Sequence, residues 1–149
     1  MQIFDKNGAP LAKSNPPNKR FFDNMVIRNA SLAGLELGGI SFEGSYLQGS
    51  DFTGADLYGA NRADCNLDSC VLVGADLRWA YFFRTSFRNA DLRNARFDLS
   101  ALASPVRLDS VDFSGANLDG ADFTEAIYDS ETIFPVGFDP EKRGMKRKP

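Results

Sequence analysis

The sequence predicts an all-β solenoid built from five-residue repeats, and three observations predict it. Every fifth residue is large and apolar across most of the chain, the residue two places before it is small, and glycine gathers two places after it. Starting at Arg20 the chain parses as RFFDN, MVIRN, ASLAG, LELGG, ISFEG, SYLQG, SDFTG, ADLYG and onward, with one residue out of phase at Pro105, giving 22 quintets over residues 20–130. A repeat of this kind decides the fold before any local propensity does.

The third position of the quintet is Leu or Phe in 19 of 22 cases, from Phe22 to Phe123. The first position is Ala, Ser, Thr, Cys or Val in 18 of 22, and its four exceptions, Arg20, Met25, Leu35 and Ile40, fall in the first five quintets. On an extended chain, residues two apart face the same way. Positions one and three therefore point inward together, and position two, often Asp or Asn, points out. Nine of the 13 glycines occupy position five, where the chain must turn. A five-residue period keeps no stripe on a helix of 3.6 residues per turn. Strands of ordinary length would not break every five residues.

The quintets ADLYG, ADLRN, ANLDG and ADFTE are similar to the A-(D/N)-L-x-x pattern of the pentapeptide-repeat family, over 111 of 149 residues. The resemblance implies a right-handed quadrilateral β-helix with four quintets per coil, hence about 5.5 coils and a stack roughly 26 Å tall at the usual strand spacing. Residues 20 apart then stack, and the interior column Leu37, Leu57, Leu77, Phe97 is expected to continue to Leu118. The run TIFPVGFDPEKRGM resembles the ends of many cyanobacterial and plastid members of the family.

Open coil ends expose strand edges that must be covered. Residues 1–19, with Phe4, Leu11 and a Pro-Pro pair, read as an irregular N-terminal cap, residues 20–130 as the solenoid, and residues 131–149 as a C-terminal cap and basic tail. Ile133, Phe134 and Phe138 are expected to fold over the last coil, and Lys142 to Lys148 to form a solvated tail. Pro105 is expected to push one corner outward, since it cannot donate to the ladder.

Arg62 breaks the core rule. An unpaired buried guanidinium is costly, so a local bulge that turns Arg62 outward is expected, against the alternative of a buried polar site. Cys65 and Cys70 stand at position one of adjacent sides, read as small core fillers too far apart for a disulfide.

The chain has no histidine, a net charge of −3 and two cysteines. These remove the commonest general base and a zinc-site reading. No nucleophile–base pair or phosphate loop appears, so no enzyme, cofactor, metal or small-molecule substrate is expected. No run approaches the ~18 apolar residues of a membrane span, and direct nucleic-acid binding is not expected at this charge. The expected compartment is the cytoplasm, with thylakoid lumen or periplasm as the alternative for a chain whose leader was removed.

What function there is must lie on the outer faces. Arg78, Trp79, Tyr81, Phe83, Arg84 and Arg88 all fall at outward positions of one coil and have the composition of a binding hot spot. The competing reading is mutual packing, with Tyr58 against Arg78 and a charge ladder of Arg88 between Asp68 and Asp109. Residues 109–131 hold seven acids and no Lys or Arg, read as solubility or as attraction of a basic partner. The expectation is a non-catalytic scaffold for an unknown protein partner, monomeric or weakly dimeric. The alternative, implied by resemblance to family members that mimic DNA and bind gyrase, is a gyrase- or topoisomerase-directed DNA mimic. That alternative rests on fold, since those members are longer and more acidic.

Overall fold

Second-position residues pair in parallel with the residue twenty further on, and this step closes the chain into four sides. The bridges run Phe21–Ser41–Asn61–Tyr81 on the first side, Val26–Tyr46–Asn66–Ser86 on the second, Ser31–Asp51–Val71–Asp91 on the third and Glu36–Asp56–Asp76–Arg96 on the fourth. The computed structural model describes residues 1–13, 21–98 and 104–149. The core positions expected at Arg20 and Leu102, the remainder of the N-terminal segment at residues 14–19 and residues 99–103 lie outside the described ones.

Each side is too short for a continuous ladder, so the coils are joined by short repeated bonds. Leu57 N–H donates to Asp76 C=O at 2.9 Å, Gly59 N–H to Arg78 C=O at 3.0 Å, and Asp76 N–H back to Ala55 C=O at 3.0 Å. Position-two Asp and Asn side chains hold the outer turn: Asp56 Oδ1 accepts from Tyr58 N–H at 2.9 Å and Asp51 Oδ1 from Thr53 N–H at 2.9 Å. These are Asx turns, the reason short acids suit that position. Position five then takes a left-handed conformation, with φ near 60° from Asn24 through Asn94. Glycine does this without penalty.

Positions one and three fill the interior as read. Ala55, Ala60, Ala75 and Ala90 are buried beside Leu57, Leu77, Leu92 and Phe97. Among the described position-one residues, Leu35 is exposed at 40% and Met25 is only partly buried.

The interior columns differ from the expectation after Pro105. Tyr81 pairs with Arg107, Ser86 with Asp112, Asp91 with Asn117 and Arg96 with Asp122, a step of 26 residues instead of 20. The step is one quintet and one residue longer than the coils before it. Phe97 stacks on Phe123 at 4.6 Å between ring centroids, not on Leu118. Joining the coils this way keeps Leu or Phe over Leu or Phe on every side, which a one-residue shift also does, so the interior pattern alone could not choose.

Arg62 is also a correction. It does not bulge outward but is fully buried. Its own rung is intact, Arg62 N–H donating to Tyr81 C=O at 3.0 Å and Asn61 N–H to Ile40 C=O at 3.1 Å. Backbone pairing on both neighbouring coils fixes the side and carries the guanidinium in with it.

The ends are more regular than expected. β1 (Gln2–Phe4) and β2 (Pro10–Lys13) form an antiparallel hairpin, and Ser31 N–H donates to Phe4 C=O at 2.9 Å. Ile3 is the residue this hairpin buries, while Phe4 and Leu11 are exposed. β3 (Arg107–Leu108), β4 (Ile127–Tyr128) and β5 (Lys146–Arg147) form a parallel sheet in that order. The basic segment is thus a rung and not a free tail, with Met145 buried ahead of it and only its charged side chains in solvent. Phe134 and Phe138 stack on each other at 5.2 Å, Phe134 stacks on Phe113, and Phe138 meets Phe123 edge-on. Ile133 supplies backbone to the second side and leaves its side chain exposed.

Candidate functional site

The six outward residues expected to cluster do not form one patch; they run from the end of the third coil into the fourth and wrap around three sides. Arg78 lies on the fourth side, Trp79 at the corner, Tyr81 and Phe83 on the first side, Arg84 at the next corner and Arg88 on the second side. Tyr81 and Phe83, two apart on one extended segment, stack at 6.3 Å with planes 16° apart. The Arg84 guanidinium sits 4.8 Å over the Phe83 ring, and its Nε donates to Asp64 Oδ1 at 2.7 Å.

The two outer arginines are tied down by carboxylates. Arg78 makes paired bonds to Asp76 at 2.8 and 2.5 Å, 5.8 Å from the Tyr58 ring. Burial works against Asp76, yet the hydrogen bonds from Arg78 hold its carboxyl below the usual range, and the bond to Asp76 raises Arg78 in turn. Arg88 donates from Nε to Asp112 Oδ2 at 2.5 Å and from its backbone N–H to Asp68 Oδ1 at 3.1 Å. The expected partner Asp109 is instead paired with Arg107 at 2.7 Å, because the 26-residue step moves it off the column of Arg88.

Backbone conformation singles out two of the six. Among the described residues, the non-glycine positions with positive φ are Asn, Asp or Ser except Trp79 (φ 57°), Arg84 (φ 50°) and Glu125 (φ 68°). A bulky L-residue there costs roughly 1–2 kcal/mol. Trp79 recovers part of this by lying on the preceding coil: its ring is tilted on Tyr58 at 5.6 Å and covers the position a Cβ of Gly59 would take, 3.0 Å from Cε3. It remains 54% exposed, and Tyr81 44%.

The interior holds the other unusual chemistry. Nε and both terminal nitrogens of Arg62 have no hydrogen-bond partner, and its guanidinium faces Phe42 at 4.7 Å and Phe52 at 5.4 Å. Burial lowers its pKa to about 10, so it stays charged at neutral pH. Cys65 and Cys70 are buried free thiols whose Sγ atoms lie 2.8 Å from Phe42 C=O and 3.1 Å from Leu47 C=O. Burial pushes them up to about 11 and about 12, which makes them poor nucleophiles.

The acid-rich stretch 109–131 is answered by the chain's own cations. Lys146 bonds Glu125, Lys148 lies 3.8 Å from Asp109, and Arg88 holds Asp112. A feature that sequence reasoning missed stands beside it, a groove of about 560 Å³ between residues 115–119 and the segments 135–139 and 142–143. Only the register of the last coil brings these segments together. No helix among the described residues is long and apolar enough to cross a membrane.

Two pentapeptide-repeat models match, one of 8 copies over residues 27–61 and 63–98, the other of 9 copies over residues 82–127. The chain belongs to the pentapeptide-repeat family. A pentapeptide-repeat structure from Nostoc PCC 7120 is 30% identical, covering 89% of this chain and 88% of that one, with a TM-score of 0.36. A pentapeptide-repeat protein of the Arabidopsis thaliana thylakoid lumen is 23% identical over 72% of this chain and 63% of that one, with a TM-score of 0.46. QnrB1, a plasmid-mediated fluoroquinolone resistance protein, is 16% identical over 86% of this chain and 84% of that one, with a TM-score of 0.50, a likeness of fold alone. No curated protein matches the sequence.

Proposed function

We propose that this pentapeptide-repeat chain is a non-catalytic scaffold that binds a protein partner through its first side, at Tyr81 and Phe83, flanked by the corners Trp79 and Arg84. In this reading the solenoid of residues 20–130 is the scaffold and residues 1–19 and 131–149 close its ends. The observation that carries it is conformational. Trp79 and Arg84 occupy left-handed corners where the stacked residues are Gly59 for Trp79 and Asp64 and Ser110 for Arg84, all smaller residues that suit this conformation better, and retained strain of this kind marks positions used for something other than the fold. The side chains kept there, an exposed indole and a guanidinium over an aromatic ring, are those that dominate binding energy at protein interfaces.

A DNA-mimic reading needs free carboxylates on a phosphate-like surface. Here Asp64, Asp76, Asp91, Asp98 and Asp112 are each paired with an arginine, so the protein-binding reading is the stronger.

The Trp79→Gly and Tyr81→Ala double variant separates fold from function. Relief of the corner strain offsets glycine's entropic cost, so stability is expected to stay within ~1 kcal/mol. Partners captured by the unaltered protein are expected to be lost; capture of the same partners by the double variant removes this surface from consideration.

A further inference from the structure

The third side is stitched from coil to coil by the same three backbone bonds. Leu92 N–H donates to Asn117 C=O at 2.8 Å, Asn94 N–H to Asp119 C=O at 3.0 Å, and Asn117 N–H back to Ala90 C=O at 2.9 Å. One coil on, the groups that would repeat this pattern are the Leu118 and Gly120 N–H and the Ala116 C=O. Among the described residues none of the three has a hydrogen-bond partner.

The other three sides of the last coil end differently. β5 adds a rung on the first side. On the second, Phe113 N–H donates to Ile133 C=O at 2.8 Å and Ile133 N–H to Val111 C=O at 2.9 Å. On the fourth, Glu125 N–H donates to Gly144 C=O at 2.9 Å. Among the described residues the third side is the one that lacks all three bonds, while the fourth lacks two of them, at the Phe123 N–H and the Ala121 C=O. The segment 135–139 passes opposite the third side but turns on itself, Phe138 N–H donating to Pro135 C=O at 3.1 Å, and leaves the groove described above.

The lining of this groove matches the edge. It is mostly polar and includes Asp119; Leu118 is buried beneath it, Phe138 is half-buried, and Val136 stands fully exposed on its wall. Lys142 is paired with Asp139 at 3.0 Å, whereas Arg143 stacks 5.5 Å from the Phe138 ring and has no carboxylate partner among the described residues. Two donors and one acceptor on an open strand are what strand addition by a peptide needs, and the guanidinium of Arg143 offers a charge that a side chain of the peptide can meet.

We propose that the third side of the last coil binds an extended acidic segment of a partner protein as one further parallel rung. Its main chain meets Ala116, Leu118 and Gly120, an apolar side chain turns onto the half-buried Phe138, and a carboxylate pairs with Arg143. This surface lies on a different side and a different coil from Tyr81, so Tyr81→Ala leaves it unaffected and the two readings fail separately.

A fluorescein-labelled, end-blocked peptide ADLDGADLE serves as the probe, read by anisotropy against the full chain. Saturable binding is expected, with slowed hydrogen exchange at the Leu118 and Gly120 amides. N-methylation of the second peptide residue, which removes the bond to Ala116 C=O, is expected to weaken binding about fivefold, and Arg143→Glu at least about tenfold. Absence of saturable binding at millimolar peptide overturns the proposal. So does binding indifferent to both changes, or exchange protection away from Leu118 and Gly120. A dimer in sedimentation equilibrium that excludes the peptide also overturns it, since the occupant is then a second copy.

Discussion

Two columns of the interior occupy the same repeat position and differ by one residue. The fourth-side column, Leu37, Leu57, Leu77, Phe97 and Phe123, is wholly apolar. The first-side column, Phe22, Phe42, Arg62, Phe82, Leu108 and Tyr128, carries a buried cation at its third coil. Their backbone rungs are nonetheless alike, 2.9 Å from Leu57 N–H and 3.0 Å from Arg62 N–H to the next coil. Neighbouring coils therefore set the direction of a side chain, and the polarity of one residue does not reverse it. The aromatic faces around Arg62 return up to about 2 kcal/mol, less than the several kcal/mol of desolvating a charge.

The largest effect comes from moving the charge to the other column. Leu77→Arg places a guanidinium between Leu57 and Phe97 in a column that holds no charge, whereas Arg62 lies 4.7 and 5.4 Å from two Phe rings set nearly at right angles. It is expected to cost more than about 4 kcal/mol and to abolish cooperative folding, seen as loss of the urea transition. A folded Leu77→Arg protein would show that any column accepts a cation. Next, Arg62→Met makes the first column resemble the fourth and is expected to stabilise the chain by ~1–4 kcal/mol, read as a higher urea midpoint. Destabilisation would mean that Arg62 has a partner in solution.

The smallest effect sharpens the same pair through pH. The folded pKa of Arg62, about 10, lies well below its ordinary value, so the unfolded chain binds more protons between the two and stability rises with pH there. The stability gap between the Arg62→Met variant and the unaltered chain is expected to be constant below pH 10 and to narrow above it. A gap that stays flat to pH 12 would place a neutralising partner beside the guanidinium.

Much of the fold was legible because its rule is local. A small residue, a turn-forming acid, a large apolar residue and a corner recur every five positions, and each follows from pleat geometry and turn chemistry. Arg62 was misread because cost was weighed at one residue, whereas the ladder is cooperative across three coils. The step after Phe97 was misread because two registers satisfy the interior pattern equally.

The candidate surface was legible as composition and not as shape. Arg78 to Arg88 are contiguous in the chain, yet four quintets make a coil, so eleven residues span three sides. The pairings that tie down Arg78 and Arg88 depend on which residue follows which in the stack.

Repeat period, inward and outward positions and the turn at every fifth residue belong to the sequence alone, since each is settled within a few residues. The register across Pro105, the burial of Arg62, the rung formed by Lys146–Arg147 and the open edge at Leu118 belong to the stack. They are decided by hydrogen bonds between residues some twenty positions apart, and no five-residue pattern carries that information.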